Sequence, residues 1–134
     1  MKTSKGEQKV ANLLKRNGIP FRTEVMFEGL VGKKHVQLRY DVAIFKNNKV
    51  FMLIEVDGRQ HYEYIKYFHK NYSGFLRAQE RDRVKNKFAL INNIPLIRIP
   101  YWDLDTLTFE KIFNTPEYRV KSKYHLDYLR NGRC

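Results

Sequence analysis

The chain has 134 residues, of which 43% are hydrophobic and 14% aromatic, so we expect one folded domain rather than a disordered chain. Its longest apolar runs, such as residues 50–54, are too short to cross a bilayer, and the first six residues contain no apolar signal-peptide core. The single cysteine, Cys134, excludes an intrachain disulfide. These features predict a protein that works inside the cell without a membrane partner.

The charge balance is strongly basic. Lysine and arginine number 26 against 14 acidic residues, which gives a net charge of +12. A positive surface of this size attracts polyanions, because phosphate backbones release counterions when it binds. The basic residues are spread along the chain and form no tail, so we expect a folded surface that binds nucleic acid. A generically basic protein is the alternative.

The first half of the chain predicts one helix and three strands. The helix is amphipathic, with apolar residues at helical spacing before an Asn17-Gly18 stop, whereas the first two strands alternate in polarity and the third is nearly all apolar. A continuous apolar strand favours a central position that is covered on both faces. The predicted elements are a helix at residues 4–17, strands at 23–30, 36–45 and 50–56, and a hairpin turn at 46–49.

The second half predicts a helix, a strand and a last helix. Residues 59–77 are rich in aromatic and basic side chains and indicate a long loop or partial helix. Residues 78–91 form a helix with one apolar stripe, 94–99 form a buried strand, and Asp103 is expected to cap a helix that ends at Phe113. Helices between strands imply a mixed α/β sheet that is covered on both faces.

Three carboxylates are candidates for a metal site. Glu55 and Asp57 lie two apart on an apolar strand, so both point to one face, where burial is costly unless a cation compensates them. Divalent ions such as Mg²⁺ accept oxygen ligands. Asp41 and Glu55 each lie about six residues from the centre of the hairpin turn, so Asp41 falls opposite Glu55. The alternative, in which Asp57-Gly58 is only a turn and Glu55 an edge residue, leaves a glutamate inside an apolar run unexplained.

Four further residues have both a functional and a structural interpretation. His61 follows Asp57 by four residues and titrates near neutral pH, so it is a candidate base as well as a structural histidine. Asp82 and Lys85 share a helix face, and Asp82 is alternatively a surface charge. Glu7 fits a capping box with Ser4. The other three histidines lack acidic neighbours and are expected at the surface: His35, His69 and His125.

Several segments in combination resemble the PD-(D/E)XK nuclease superfamily. The nearer likeness is to the branch of very-short-patch repair endonucleases and phage homing endonucleases, which has a Glu, Asp, variable, His, Asp signature. The resemblance covers residues 5–101 or so. Its segments are Gly6-Glu7, Tyr40-Asp41-Val42, Glu55-Val56-Asp57-Gly58-Arg59-Gln60-His61, Arg81-Asp82-Arg83-Val84-Lys85 and Asn93-Ile94-Pro95-Leu96-Ile97-Arg98-Ile99.

This resemblance implies a restriction-endonuclease-like αβββαβ core with a four-stranded mixed sheet. It implies Asp41 as the central ligand of Mg²⁺, or alternatively Mn²⁺, with Glu55 second and the Val56 carbonyl third. His61 would be the base or a water-orienting residue, and Glu7 and Asp82 would complete the site. The chain departs from the family at Asp57, which stands where the superfamily has a lysine. Either Lys85 or His61 would then take the lysine role, or the second metal site would differ. Asp57 stays open as a ligand, a supporting group or a turn residue.

The sequence as a whole predicts a metal-dependent DNA endonuclease in one domain, residues 1–134, with a helical extension from about residue 103. The alternatives are an inactive nuclease-fold module that binds DNA and an RNA-processing nuclease. Sequence-specific cleavage by so small a chain would need a homodimer, a separate recognition partner or readout by residues 62–77. The expected location is the cytoplasm, at the nucleoid or, for a phage protein, in the host cell. Expected phosphate contacts are Lys33, Lys34, Arg59, Lys66, Lys70 and Arg77. Aromatic residues that either stack on bases or belong to the core are Tyr62, Tyr64, Tyr67, Phe68, Tyr72 and Phe75.

Overall fold

The computed structural model describes residues 4–132 and has an α+β fold, a four-stranded mixed sheet flanked by helices. Cys134 lies outside the described residues. No helix within residues 4–132 is long and apolar enough to cross a membrane. The helices are α1 (Lys5–Arg16), α2 (Lys66–His69), α3 (Tyr72–Ile91), α4 (Phe109–Asn114) and α5 (His125–Gly132), and the strands are β1 (Phe21–Val31), β2 (Gln37–Lys46), β3 (Lys49–Asp57) and β4 (Leu96–Pro100).

The strands lie side by side in chain order, and their connections explain the mixed sheet. β1, β2 and β3 are antiparallel, whereas β4 pairs parallel to β3 after the crossover through α3. The β2–β3 turn is the predicted hairpin, and its central residues Asn47 and Asn48 have positive φ values of 54° and 64°. Such values suit a tight hairpin that matches the strand twist. After a one-residue register shift between Ile44 and Phe45, Val42 pairs with Ile54, which brings the neighbouring Asp41 and Glu55 together.

Both faces of the sheet are covered, as the apolar run in β3 predicts. Ile54 faces a core formed with α1 and α4, whereas Leu53 faces a second core formed with α3. Both side chains are fully buried. A central strand with two buried faces cannot show the polar alternation of a half-exposed strand, which accounts for its nearly continuous hydrophobic sequence.

Helix α1 lies unusually close to the sheet because its second residue is a glycine. A Cβ atom on Gly6 would come within 2.8 Å of side-chain atoms of Val56 and Leu104. The Ser4 hydroxyl accepts a hydrogen bond from the Glu7 backbone N–H at 3.1 Å, which forms one half of the predicted capping box. This close approach buries Glu7 against the sheet, with 4% of its surface exposed.

The boundaries differ from prediction in the second half of the chain. Helix α3 begins at Tyr72, six residues before the predicted start, and Asn71 caps it through the Gly74 N–H. The aromatic residues of this first turn obscured the helical pattern. The predicted cap at Asp103 is wrong, because α4 begins at Phe109 and is capped by Thr108. Asp103 instead accepts a hydrogen bond from the Tyr118 hydroxyl at 2.9 Å.

Candidate functional site

The site begins at a point in β1 and β2 where the alternate side chains switch from one face of the sheet to the other. Tyr40 packs in the core beneath α3, but Val42, two residues later, packs in the core beneath α1. Asp41 lies at the reversal, opposite Glu24 in β1, which has a φ of 53°. This left-handed conformation is uncommon for a residue with a side chain. The reversal turns both carboxylates away from regular strand positions and toward α1.

Three carboxylates meet at this point. One oxygen atom from each of Glu7, Glu24 and Asp41 lies within 4.8 Å of the others. The Glu7 Oε1 atom is buried and accepts no hydrogen bond from the residues that the structure describes. Burial and Glu24 raise the pKa of Glu7 to about 7. Hard divalent cations prefer such all-oxygen sites, and an uncompensated buried oxygen is what a bound cation would satisfy, so these residues fit Mg²⁺ or Mn²⁺. Glu24 was not predicted.

Asp41 also belongs to a buried carboxyl pair with Glu55. Its Oδ2 atom accepts a hydrogen bond from the Val56 N–H at 2.7 Å. Burial, the negative charge of Glu55 and a hydrogen bond to Glu55 raise the pKa of Asp41 to about 10. Burial alone would raise the pKa of Glu55, but the Lys85 ammonium and the hydrogen bond from Asp41 lower it. The proton of the pair therefore resides on Asp41.

Lys85 provides the positive charge beside this pair. Its Nζ atom lies 2.5 Å from Glu55 Oε1; the Glu55 side chain is 2% exposed and that of Lys85 is 17% exposed. The Tyr40 hydroxyl donates to the Lys85 carbonyl at 2.6 Å, which fixes this part of α3 over β2. The lysine therefore comes from a helix and reaches Glu55, the first acidic residue of β3. Whether it replaces the superfamily lysine in catalysis, and whether the Val56 carbonyl binds a metal, stay predictions.

His61 and Asp82 form a second charged group. The His61 Nδ1 atom lies 3.2 Å from both carboxylate oxygens of Asp82 and 3.6 Å from an oxygen of Asp57. Burial alone would lower the pKa of His61, but the charges of Asp82 and Asp57 raise it. A proton on Nδ1 that is donated to Asp82 leaves Nε2 as the ring nitrogen that can accept a proton. This arrangement suits a general base.

Asp57 does not join the three-carboxylate cluster. Its Oδ1 atom accepts a hydrogen bond from Arg98 Nη1 at 2.7 Å, and both side chains are fully buried. Arg98 also donates to the Asp82 backbone carbonyl at 3.4 Å. Asp57 therefore supports the histidine region rather than Asp41. Arg98 was not singled out from the sequence, although an arginine in an apolar strand, paired in register with Glu55, was a usable signal.

These groups surround an open cavity of about 530 Å³. The carboxylates Glu24, Asp41 and Asp82 line it together with His61 and Lys85, whereas Glu7, Glu55 and Asp57 lie outside its lining. Two unpredicted arginines, Arg39 and Arg81, also border it and are exposed. The cavity therefore combines oxygen ligands, a candidate base and cations.

Basic and aromatic side chains form a rim along part of this cavity, where Arg39, Phe68 and Arg81 line it. All six predicted phosphate contacts have exposed side chains, and Lys33, Lys34 and Arg77 line a neighbouring cavity of about 260 Å³ that shares Arg81 with the first. Arg59 is held by an ion pair with Glu63 at 3.0 Å. Among the aromatic candidates, two are buried and four are exposed. The buried pair is Tyr62 and Phe75, and the exposed set is Tyr64, Tyr67, Phe68 and Tyr72.

The prediction of surface histidines is wrong for His69. This residue is 7% exposed, because it ends α2 and packs against the rings of Tyr64 and Phe75. Its Nδ1 atom accepts a hydrogen bond from the Ile65 N–H at 3.0 Å. His125 is half-buried, and His35 is exposed as predicted. Aromatic neighbours, rather than acidic ones, hold His69 in place.

Comparison with known proteins finds partial similarity to viral proteins. Protein 307L of Invertebrate iridescent virus 6 is 38% identical over 66 residues, which cover 48% of this chain and 34% of that protein. Protein 033L of Invertebrate iridescent virus 3 is 33% identical over 55 residues, covering 41% and 28%. Protein 094L of Frog virus 3 is 49% identical over 49 residues, covering 36% and 32%.

These relatives carry no assigned activity. All three are described as uncharacterized proteins, and the chain's matched segments span about a third of their length. No family model matches the chain, and no solved structure matches it. The geometry of the site is therefore the basis for proposing a function.

Proposed function

We propose that the chain is a metal-dependent DNA endonuclease that hydrolyses phosphodiester bonds and belongs to the PD-(D/E)XK superfamily. One observation carries the proposal: a single cavity in a strongly basic protein borders a carboxylate cluster, a lysine and a His–Asp pair. Phosphodiester hydrolysis needs the same elements, namely a site for a divalent cation, a base and positive charge for the transition state.

Glu7, Glu24 and Asp41 would hold the ion, Mg²⁺ or Mn²⁺, with Glu55 beside Asp41 as a further ligand candidate. When bound, the ion supplies charge that polarises the phosphate and makes water more acidic. The protein's own part is to deliver three carboxylates from α1, β1 and β2 to one point. Without a cation, Asp41 is protonated at neutral pH and Glu7 is about half protonated, so these carboxyl groups would give up protons on binding the ion.

His61 would accept the proton of the attacking water at Nε2. Asp82 favours this role because it accepts the Nδ1 proton and stabilises the imidazolium that forms. Lys85, with Arg39 and Arg81 at the cavity edge, would offset negative charge on the pentacovalent phosphate. The carboxylates thus bind the cation, and the basic side chains face the substrate.

The rim supports DNA as the substrate. The exposed lysines and arginines beside the cavity are suited to phosphate contacts, which position a duplex without reading its sequence. Tyr67 and Phe68, with 88% and 57% of their surface exposed, follow directly after Lys66. Exposed aromatic rings among cations are typical of surfaces that stack on or wedge between bases.

A substrate panel tests the proposal. Supercoiled, mismatched and branched DNA and a structured RNA are incubated with the protein in Mg²⁺, Mn²⁺ or EDTA, and the oligomeric state is measured by light scattering. We expect cleavage of at least one DNA in either ion and none in EDTA. Cleavage of RNA alone would establish the RNA-processing alternative. Binding without cleavage of any substrate would contradict the enzyme proposal and favour a non-catalytic DNA-binding module.

A further inference from the structure

The C-terminal helix α5 contacts the histidine group through Arg130. The Arg130 Nε atom donates to the His61 backbone carbonyl at 2.8 Å, and Nη2 donates to Asp82 Oδ2 at 3.1 Å. Its side chain is 8% exposed. One planar guanidinium thus contacts both members of the His61–Asp82 pair, although it lies 48 residues beyond Asp82 in the chain.

A second set of contacts holds this arginine in place. Asp127 accepts a hydrogen bond from Arg130 Nη1 at 2.6 Å, and it also accepts two hydrogen bonds from Arg83, at 2.9 and 3.1 Å. Arg83 is the residue next to Asp82 on α3. The α3 helix is also joined to the segment before α5, because Asn86 Nδ2 donates to the Lys123 carbonyl at 3.1 Å. Helix α5 is therefore fixed to the helix that carries Asp82.

We infer that Arg130 is a positioning residue that holds His61 and Asp82 in their working geometry. The inference rests on the function proposed above, in which His61 is the base. A bidentate or multiply bonded guanidinium fixes direction as well as charge, because its donors are coplanar and rigid. By binding one oxygen of Asp82 and the main chain of His61, Arg130 limits rotation of the carboxylate and movement of the 59–61 turn.

The charges around the pair show why a fixed geometry is needed. The ring of His61 faces Asp57 from β3 and Asp82 from α3, and these carboxylates also contact Arg98 from β4 and Arg130 from α5. With two acidic partners on one side, the Nδ1 proton has two competing acceptors. Arg130 donates to Asp82 Oδ2 at 3.1 Å, whereas Arg98 donates to Asp57 Oδ1 at 2.7 Å and lies 3.7 Å from Asp82 Oδ1. The ring then donates to Asp82, and Nε2 is left for the substrate water.

The ring tautomer of His61 tests the inference independently of any nuclease activity. Nitrogen-15 chemical shifts of the neutral His61 ring are compared in the wild type, Arg130→Gln and Arg130→Lys. We expect a dominant Nδ1–H form in the wild type and a mixture of tautomers in Arg130→Gln. Arg130→Lys should be intermediate, because one ammonium cannot reproduce the rigid fork. Arg119→Gln is the matched control, since Arg119 is exposed and lines a cavity on the opposite face of the sheet.

Cleavage and ion binding give the second readout. In Arg130→Gln we expect kcat to fall roughly 10- to 100-fold, which is part of the roughly 10²- to 10⁴-fold that a general base contributes. The affinity for the ion should stay unchanged. Arg130→Lys, which keeps the charge, covers the case in which Arg130→Gln does not fold. Wild-type ring shifts in both folded variants would overturn the inference. Altered shifts in a protein that cleaves no substrate would uphold the positioning role and contradict only the proposed nuclease function.

Discussion

Replacing Asp41 with asparagine should separate metal binding from folding. Without metal, Asp41 is protonated at neutral pH because its pKa is raised to about 10. It accepts from the Val56 N–H and shares a hydrogen bond with Glu55. An asparagine amide has an acceptor and donors in nearly the same positions. Asp41→Asn should therefore change the stability of the metal-free protein by no more than about 1 kcal/mol, the value of one ordinary hydrogen bond.

The same substitution should remove the stabilisation that the ion provides. At an ion concentration of about 100 times Kd, binding stabilises the folded wild type by about 2.7 kcal/mol. For a chain of 134 residues this corresponds to a rise in Tm of roughly 10 °C. Asp41 belongs to both the three-carboxylate cluster and the pair with Glu55, and in Asp41→Asn a neutral amide replaces this carboxylate ligand. The Tm of the variant should therefore rise by less than about 2 °C when the ion is added.

Differential scanning calorimetry measures both effects. The wild type, Asp41→Asn and the control Asp105→Asn are heated in EDTA and across a Mn²⁺ series. Asp105 is an exposed carboxylate outside the cavity lining, so its variant should shift like the wild type. A full ion-induced shift in Asp41→Asn would refute the assignment of the ligand. A metal-free Asp41→Asn that loses several kcal/mol would refute the account of a protonated Asp41.

Three other predictions follow from the site. Because the folded pKa of Asp41 exceeds the unfolded value of 3.8, metal-free stability should fall as pH rises from about 4 toward 10, and ion binding at pH 7.5 should release protons. Calorimetry in two buffers of different ionisation enthalpy checks this, and no buffer dependence would contradict it. His61→Gln should lower kcat roughly 10²- to 10⁴-fold and keep the ion-induced Tm shift; loss of that shift would instead make His61 part of the metal site. Lys85→Met leaves the charge of Glu55 buried without its cation, so urea unfolding should show a loss of about 3–5 kcal/mol, and a loss below about 1 kcal/mol would contradict the pair.

The sequence predicted the parts of the site that depend on local pattern. Counting residues from the two-asparagine turn predicted the approach of Asp41 to Glu55 to within one residue, because the register shifts once, between Ile44 and Phe45. The cap of α1 was also predicted locally, whereas the place of Glu7 in the site followed only from the family resemblance. The fold class followed from helices between strands and from the apolar run of β3, because each reflects burial of a whole face.

The remaining features depend on tertiary contacts that no local pattern records. Glu24 joins the cluster only because β1 and β2 reverse faces together at this residue, with a left-handed φ that ordinary strand periodicity does not predict. Arg130 reaches His61 from 69 residues away, through a helix whose docking depends on Asp127 and Arg83. The start of α3 was missed because its first turn has aromatic residues where an amphipathic helix would show a single apolar stripe.

Cleavage of supercoiled DNA by the wild type and Asp41→Asn, measured side by side, decides whether the chain is a nuclease that depends on an ion bound by Asp41. Each protein is incubated with plasmid in Mg²⁺, in Mn²⁺ and in EDTA, and nicked and linear products are quantified over time. The account predicts nicking by the wild type in either ion, none in EDTA, and none by Asp41→Asn at any ion concentration. Equal cleavage by the two proteins, or cleavage that persists in EDTA, would contradict it.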